Sequence, residues 1–289
     1  MIAAAILAAT VAAARVISLA PALTEDLFAI GAGAQVVGVD GYSNRPEAAR
    51  ALPHVGSMHT VNTESVLTLH PDLVVGIPYS APELTQIAHT GITTRALKAE
   101  SLKDDLATIE ELGRLTGHVA QAHALVTSLH QRMNAVRAKT AHLNALHVLI
   151  VVSTKPNYTA GAGSYMDDLL QLAHVRNVAA NIHVAFPSVS DETIEASDPD
   201  VIITTPGLPI PSGPPWSRLR AVREHRIIEL PEDDLFRPGP HVADVLEALV
   251  RALAPYRAGG GAAKVTTRPS GSRRTAIGIP YARASRASS

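Results

Sequence analysis

Short runs rich in Val, Ile and Leu alternate with helix-length segments in two separate sets, and the longest helical pattern of the chain, residues 102–143, lies between the sets. This alternation is how an α/β protein with largely parallel sheets reads, because each strand hands over to a covering helix before the next strand pairs. The first set places candidate strands at 15–19, 36–39, 72–76 and 93–97, and the second at 147–153, 200–205 and 226–230. Helix-like segments at 24–30, 63–69 and 164–173 separate them. The pattern predicts two Rossmann-like α/β lobes rather than one continuous sheet. With 289 residues, 46% of them hydrophobic, the chain has the apolar material for both.

The middle pattern breaks at Leu115-Thr116-Gly117, where the glycine marks a helix end and a restart. A single helix is predicted over 118–141, about 24 residues and roughly 36 Å long at 1.5 Å per residue. Joining two lobes, such a helix is a stiff strut; packed on one lobe alone, it is an ordinary amphipathic helix. The predicted division is an N-terminal lobe at 15–117, a linking helix at 118–141 and a C-terminal lobe at 142–255.

The ends differ from this body. Residues 1–14 form an uncharged apolar run stopping at Arg15, and Ala12-Ala13-Ala14 supplies the small-x-small pattern that a signal peptidase accepts. The run is read as a signal peptide, since about 14 residues fall short of the roughly 20 that span a bilayer; a short buried helix is the alternative. Residues 256–289 are rich in Gly, Ser, Thr and Ala without a sustained period, and are predicted to be disordered. That segment holds 7 basic residues and no acidic one, so the formal charge of −1 hides a body with 18 basic and 26 acidic residues, a balance of −8. The whole-chain balance gives no sign of a nucleic-acid partner. Cysteine is absent, which excludes disulfides, thiolate metal sites, a cysteine nucleophile and a lipidated N-terminal cysteine.

Several chemical signals are incomplete. The 13 histidines invite a metal reading, but His118, His123, His130 and His142 on the long helical stretch form no i, i+4 pair, and no His-Glu-x-x-His occurs. No metal site is nominated. Gly161-Ala162-Gly163 partly imitates a dinucleotide fingerprint, but Met166 stands where the third glycine belongs, so the run is read as a tight strand-to-helix turn. No Gly-x-Ser-x-Gly nucleophile elbow or complete cofactor motif appears, which weakens the reading as a secreted α/β enzyme.

Longer stretches carry a resemblance. In the first half these are Arg15-Val-Ile-Ser-Leu-Ala-Pro-Ala-Leu-Thr-Glu25, Leu27-Phe-Ala-Ile-Gly31-Ala-Gly33, Val36-Val-Gly-Val39, Leu52-Pro53, Val55-Gly56 and Leu69-His-Pro71-Asp72-Leu73-Val74. In the second half they are Tyr158-Thr-Ala-Gly161-Ala-Gly163-Ser164-Tyr-Met-Asp167-Asp168, Asn177-Val178-Ala179, Phe186-Pro187-Ser-Val189-Ser190-Asp-Glu192 and Asp198-Pro199-Asp200. Together, over about residues 15–254, the chain resembles the helical-backbone substrate-binding proteins of ABC importers that deliver cobalamin, haem and ferric siderophores, most closely the cobalamin-binding branch. The resemblance implies two lobes joined by a rigid helix with a ligand cleft between them, capture rather than catalysis, and a periplasmic or otherwise extracytoplasmic location. It also implies a monomer whose partners are a small-molecule ligand, the membrane permease and its ATPase subunits, with cobalamin or a similar tetrapyrrole as transported ligand and no cofactor.

A corrin or porphyrin is a flat, mostly apolar plate with polar arms, so its site needs aromatic or aliphatic faces and hydrogen-bonding groups at the edge. The loop positions matching the family's ligand site are Tyr42, Met58, Ile77, Tyr79, Phe186 and Phe236, with Asp233 and Arg237 in the late loop of the second lobe. Met58 and Ile77 stand where cobalamin binders often carry an aromatic. Arg237 suits a bidentate clamp on a carboxylate such as a haem propionate, Asp233 suits an amide arm, and His59 and Tyr42 are the axial candidates for haem. One acidic residue per lobe, Glu83 and Glu192, matches the positions at which the family pairs with permease arginines.

Overall fold

The computed structural model describes residues 12–57 and 60–257. The predicted signal segment, apart from its last residues, and nearly all of the predicted disordered tail lie outside the described residues. The chain divides into two units: one takes the residues up to Ala99 together with Leu106–Thr127, and the other takes Glu100–Asp105 and the residues from Ser128 onward.

The first unit contains β1 (Val16–Ser18), β2 (Val36–Val39), β3 (Gly56–Ser57), β4 (Thr60–Val61), β5 (Leu73–Gly76) and β6 (Thr93–Ala96). Its main sheet has the order β2-β1-β5-β6 and every pairing in it is parallel. The central strands β1 and β5 are buried at every position, which is why they read as continuous apolar runs instead of alternating ones. At the edge, β6 is mostly exposed. Helices α1 (Pro21–Ala29), α2 (Thr63–Thr68) and α3 (Ala81–Ala88) cover the sheet, and Ile17, Leu19, Val66, Val74, Leu84 and Ile87 meet in its core. Pro21 opens α1, where its missing N–H costs nothing, and the Asn62 side chain accepts from Ser65 N–H to cap α2.

Next come α4 (Leu102–Thr116) and α5 (Val119–Thr140). The break between them falls at Gly117, whose φ of +78° lies in the left-handed region. The division into units falls inside both helices, after Asp105 in α4 and after Thr127 in α5. Residues 100–105 group with the second unit because Leu102 N–H donates to Asp168 Oδ2 (2.8 Å) and Tyr165 N–H donates to Glu100 O (2.8 Å).

The second unit contains β7 (His147–Thr154), β8 (Asn157–Thr159), β9 (Arg176–Asn177), β10 (Val201–Thr204) and β11 (Ile227–Glu229). The strands β11, β10 and β7 lie side by side and parallel. The last residues of β7 pair antiparallel with β8, and its first two pair parallel with β9. Its helices are α6 (Tyr165–Leu172), α7 (Asp191–Ser197), α8 (Arg220–Arg223), α9 (Glu232–Phe236) and α10 (Val242–Arg257). Trp216 is buried with Leu149, Val151, Ile194, Ile202 and Leu219 in the core. Ser164 and Ser190 cap α6 and α7 by accepting from Asp167 N–H and Thr193 N–H.

Three of the histidines have a backbone role. His70, His174 and His225 follow the C-caps of α2, α6 and α8 with φ of 44°, 54° and 54°. At two of these ends an arginine from elsewhere donates to the orphaned carbonyls. Arg15 reaches Leu69 O (2.7 Å) and His70 O (3.1 Å), and Arg257 reaches Ala173 O (2.5 Å) and His174 O (3.2 Å).

Candidate functional site

Each unit carries part of the predicted site on segments that leave its strands. In the first unit Tyr42 lies three residues beyond β2, and Ile77 and Tyr79 lie directly beyond β5. Ligands of open α/β sheets bind at the carboxyl edge, where loops are free to vary without disturbing the ladder. Tyr42, Ile77 and Tyr79 are all half-buried. Met58, together with His59, lies outside the described residues.

The Tyr42 loop is held by polar groups that are themselves buried. Ser18, Thr24 and Asp40 are fully enclosed and Ser43 is nearly so. Thr24 Oγ1 donates to Ser18 Oγ (2.8 Å) and lies 2.7 Å from Ser43 Oγ, while Ser43 Oγ donates to Asp40 Oδ2 (2.5 Å). Asp40 Oδ1 accepts from the Tyr42 backbone N–H at 2.7 Å. The loop after β2 is thereby tied to β1 and to α1, which fixes the backbone from which the Tyr42 ring projects. Interior hydrogen bonds of this kind are costly to break, because each leaves an unpaired polar group behind.

In the second unit Phe186 and Phe236 form an edge-to-face pair, with ring centroids 6.2 Å apart and planes at 68°. Edge-to-face packing sets the positive rim of one ring against the negative face of the other. Phe186 sits on a segment that runs beside β8: Thr159 N–H donates to Pro187 O (3.2 Å), Gly161 N–H to Ala185 O (3.0 Å) and Val189 N–H to Asn157 O (3.0 Å). The turn that receives this segment is fixed too. Ser164 Oγ donates to Gly161 O (2.7 Å), and Asn177 Nδ2 donates to Ala160 O (2.9 Å) and Asp167 Oδ1 (2.9 Å).

Phe236 ends α9, which begins three residues after β11 ends at Glu229, and Arg237 follows it. Arg237 is buried, at 6% exposure, and its Nη2 lies 2.8 Å from Asp233 Oδ1, one helical turn earlier. The two residues that the resemblance assigns separately to ligand arms are therefore ion-paired with each other. Beside them, burial pushes the Glu232 carboxyl up, Asp233 pushes it further, and Arg237 offsets part of the rise.

Glu83 and Glu192 each stand in the first turn of a helix, α3 and α7. Glu192 is exposed, and a hydrogen bond from Ser190 together with its own backbone N–H holds its carboxyl below the ordinary range. Glu83 is half-buried, with Oε2 shielded from solvent. Among the described residues no three His, Asp or Glu side chains converge as a metal site, and no helix is long and apolar enough to cross a membrane.

Sequence reasoning missed the Ser18-Thr24-Asp40-Ser43 network and the Asp233–Arg237 pairing. The i, i+4 spacing of Asp233 and Arg237 was a usable signal for the second. The network had none, since its members belong to a strand, a helix and a loop.

The periplasmic binding protein family profile matches residues 16–233. An ABC transporter substrate-binding lipoprotein of Bacillus subtilis is 31% identical over 253 residues, covering 83% of this chain and 80% of that protein. The crystal structure of a periplasmic vitamin B12 binding protein of Vibrio cholerae superposes with a TM-score of 0.73 at 30% identity, covering 84% of this chain and 98% of that one. The apo form of a periplasmic heme-binding protein from Roseiflexus sp. RS-1 gives a TM-score of 0.74 at 28% identity, with coverage of 84% and 98%.

Proposed function

From the premise that the chain belongs to the periplasmic binding protein family, as a substrate-binding protein of the ABC-importer type that serves cobalamin, haem and siderophores, we propose that its cargo is cobalamin or a related corrinoid. It works outside the cytoplasm, holds its ligand without chemical change, and delivers it to the permease and its ATPase subunits. The ligand is cargo, not cofactor.

The observation that carries the choice of ligand is the pairing of Arg237 with Asp233 beside the Phe186–Phe236 rings. Haem presents two carboxylates, whose binding calls for cations turned toward the ligand. A corrin presents neutral amide arms around an apolar plate, which suits aromatic rings beside an arginine already paired internally. Titration of the purified protein with cyanocobalamin, hemin and a ferric siderophore, followed by absorbance and calorimetry, tests this. Cyanocobalamin is expected to bind about tenfold or more tighter than the other two. Tighter binding of hemin would move the assignment to haem, and silence with all three would sink the tetrapyrrole reading. The buried Trp216 reports on such binding by energy transfer to the ligand rather than by contact.

Glu83 and Glu192 serve as the docking pair in this reading. Replacing both by alanine is expected to leave cyanocobalamin affinity within about twofold, since rim charges act on partner encounter, and to abolish stimulation of the reconstituted importer's ATPase. Undiminished stimulation by the double variant would refute the docking assignment.

A further inference from the structure

At the carboxyl end of β10 the chain runs through residues 205–215, Thr-Pro-Gly-Leu-Pro-Ile-Pro-Ser-Gly-Pro-Pro, a loop that none of the family motifs above includes. Glu229 of β11 pairs with Thr204 of β10, and Leu230 N–H donates to Thr204 O at 2.9 Å. The loop therefore leaves the sheet next to the segment that leads to Phe236. Its composition is unusual in two ways: it has proline at 206, 209, 211, 214 and 215, and it has no charged residue.

The loop is anchored from below. Leu208 and Ile210 pack against the core that holds Trp216, Leu208 N–H donates to Thr205 O (3.1 Å), and Ser217 N–H donates to Gly213 O (3.1 Å). Pro206 and Pro209 remain exposed. Each proline fixes φ near −65°, so the loop has little backbone freedom left to lose when something packs on it. A segment that is anchored by its aliphatic side chains and exposes uncharged prolines is a preformed apolar surface.

We propose that residues 205–215 form a rigid, uncharged wall of the ligand site, against which the apolar rim of a neutral plate-like ligand packs, and that this wall selects against anionic cargo. The inference rests on the corrinoid reading. The wall offers no hydrogen-bond donor of its own at the prolines and no cation, so a carboxylate pressed against it loses hydration without replacement. A neutral amide-bearing corrinoid loses far less. Selection comes from this penalty rather than from an added attraction.

Two variants and one mapping experiment test the wall, with Phe186→Ala as a control within the aromatic pair. Pro209→Glu places a charge at an exposed position and is expected to weaken cyanocobalamin binding about tenfold or more while melting temperature is unchanged. The triple change Pro206→Ala, Pro209→Ala and Pro211→Ala keeps the surface apolar but loosens it, and is expected to weaken binding by about threefold to tenfold, through faster dissociation. In the unaltered protein, saturating cyanocobalamin is expected to slow hydrogen exchange at Gly207, Leu208 and Ile210. Wild-type-like affinity in both variants with unchanged exchange, alongside weakened binding in Phe186→Ala, would overturn the wall and leave the corrinoid reading standing. Failure of the unaltered protein to bind cyanocobalamin would overturn both.

Discussion

Replacing Arg237 by alanine is expected to destabilise the protein by roughly 3 kcal/mol, the low end of the range for breaking a buried ion pair. The low end applies because the Asp233 side chain keeps 23% of its surface exposed while Arg237 keeps 7%. Removing the guanidinium leaves Asp233 without this counter-charge next to Glu232, whose carboxyl is already pushed up by burial and by Asp233. At neutral pH the loss corresponds to a fall in melting temperature of about 6–12 °C. The sign of the pH dependence follows from the direction of the Glu232 shift. A carboxyl raised in the folded state favours the protonated fold, so acid relieves the repulsion once Arg237 is gone, and the gap between variant and parent should narrow as pH falls toward the raised carboxyl range. Scanning calorimetry from neutral to mildly acid pH checks this; a constant gap would mean that the carboxylates of α9 are not what Arg237 balances.

Gly161→Ala is expected to be the most damaging single-methyl change near the segment that bears Phe186, and Gly163→Ala, two residues away, a mild one. A Cβ at Gly161 would stand 2.2 Å from Val184 O, 2.7 Å from Ile182 O and 3.1 Å from Pro187 Cδ. Two of those three atoms are backbone and cannot rotate away, so the segment bearing Phe186 has to move. The expected result is a loss of roughly 1–3 kcal/mol in stability, as for other overpacked sites, with cyanocobalamin affinity reduced about tenfold or more. At Gly163 nothing lies within 4 Å of an added Cβ, but φ is +80°. Alanine there costs roughly 1–2 kcal/mol of left-handed strain while Phe186 stays in place, so affinity should hold near the parent value. Chemical denaturation paired with calorimetric titration separates the two. Equal affinity losses in both variants would show that the turn as a whole, not the clash at Gly161, sets the position of Phe186.

Most of the strands that were legible read as apolar runs, β1, β2 and β5 in the first unit and β7, β10 and β11 in the second; β6, a mostly exposed edge strand, was legible through its β-branched threonines. Those that were not legible, β3, β4, β8 and β9, are not apolar runs: they read Gly-Ser, Thr-Val, Asn-Tyr-Thr and Arg-Asn. They exist because a partner supplies the ladder, as β7 does for both β8 and β9. The same limit applies to the site. Phe186 and Phe236 stand 50 positions apart and were each nominated, but only the folded chain brings their rings to 6.2 Å.

What the sequence determined by itself was the α/β layering in two sets of strands, the glycine break between the two long helices and the family, because all of these are written in local patterns or in ordered motifs along the chain. The tertiary structure decided which polar residues pair with each other. Arg237, which the resemblance offers as a clamp for a ligand carboxylate, is a buried partner of Asp233; Ser18, Thr24, Asp40 and Ser43, which no local pattern links, together fix the Tyr42 loop. The physical reason is common to both. A polar group's role is set by what satisfies it once water is removed, and that partner is chosen by three-dimensional packing.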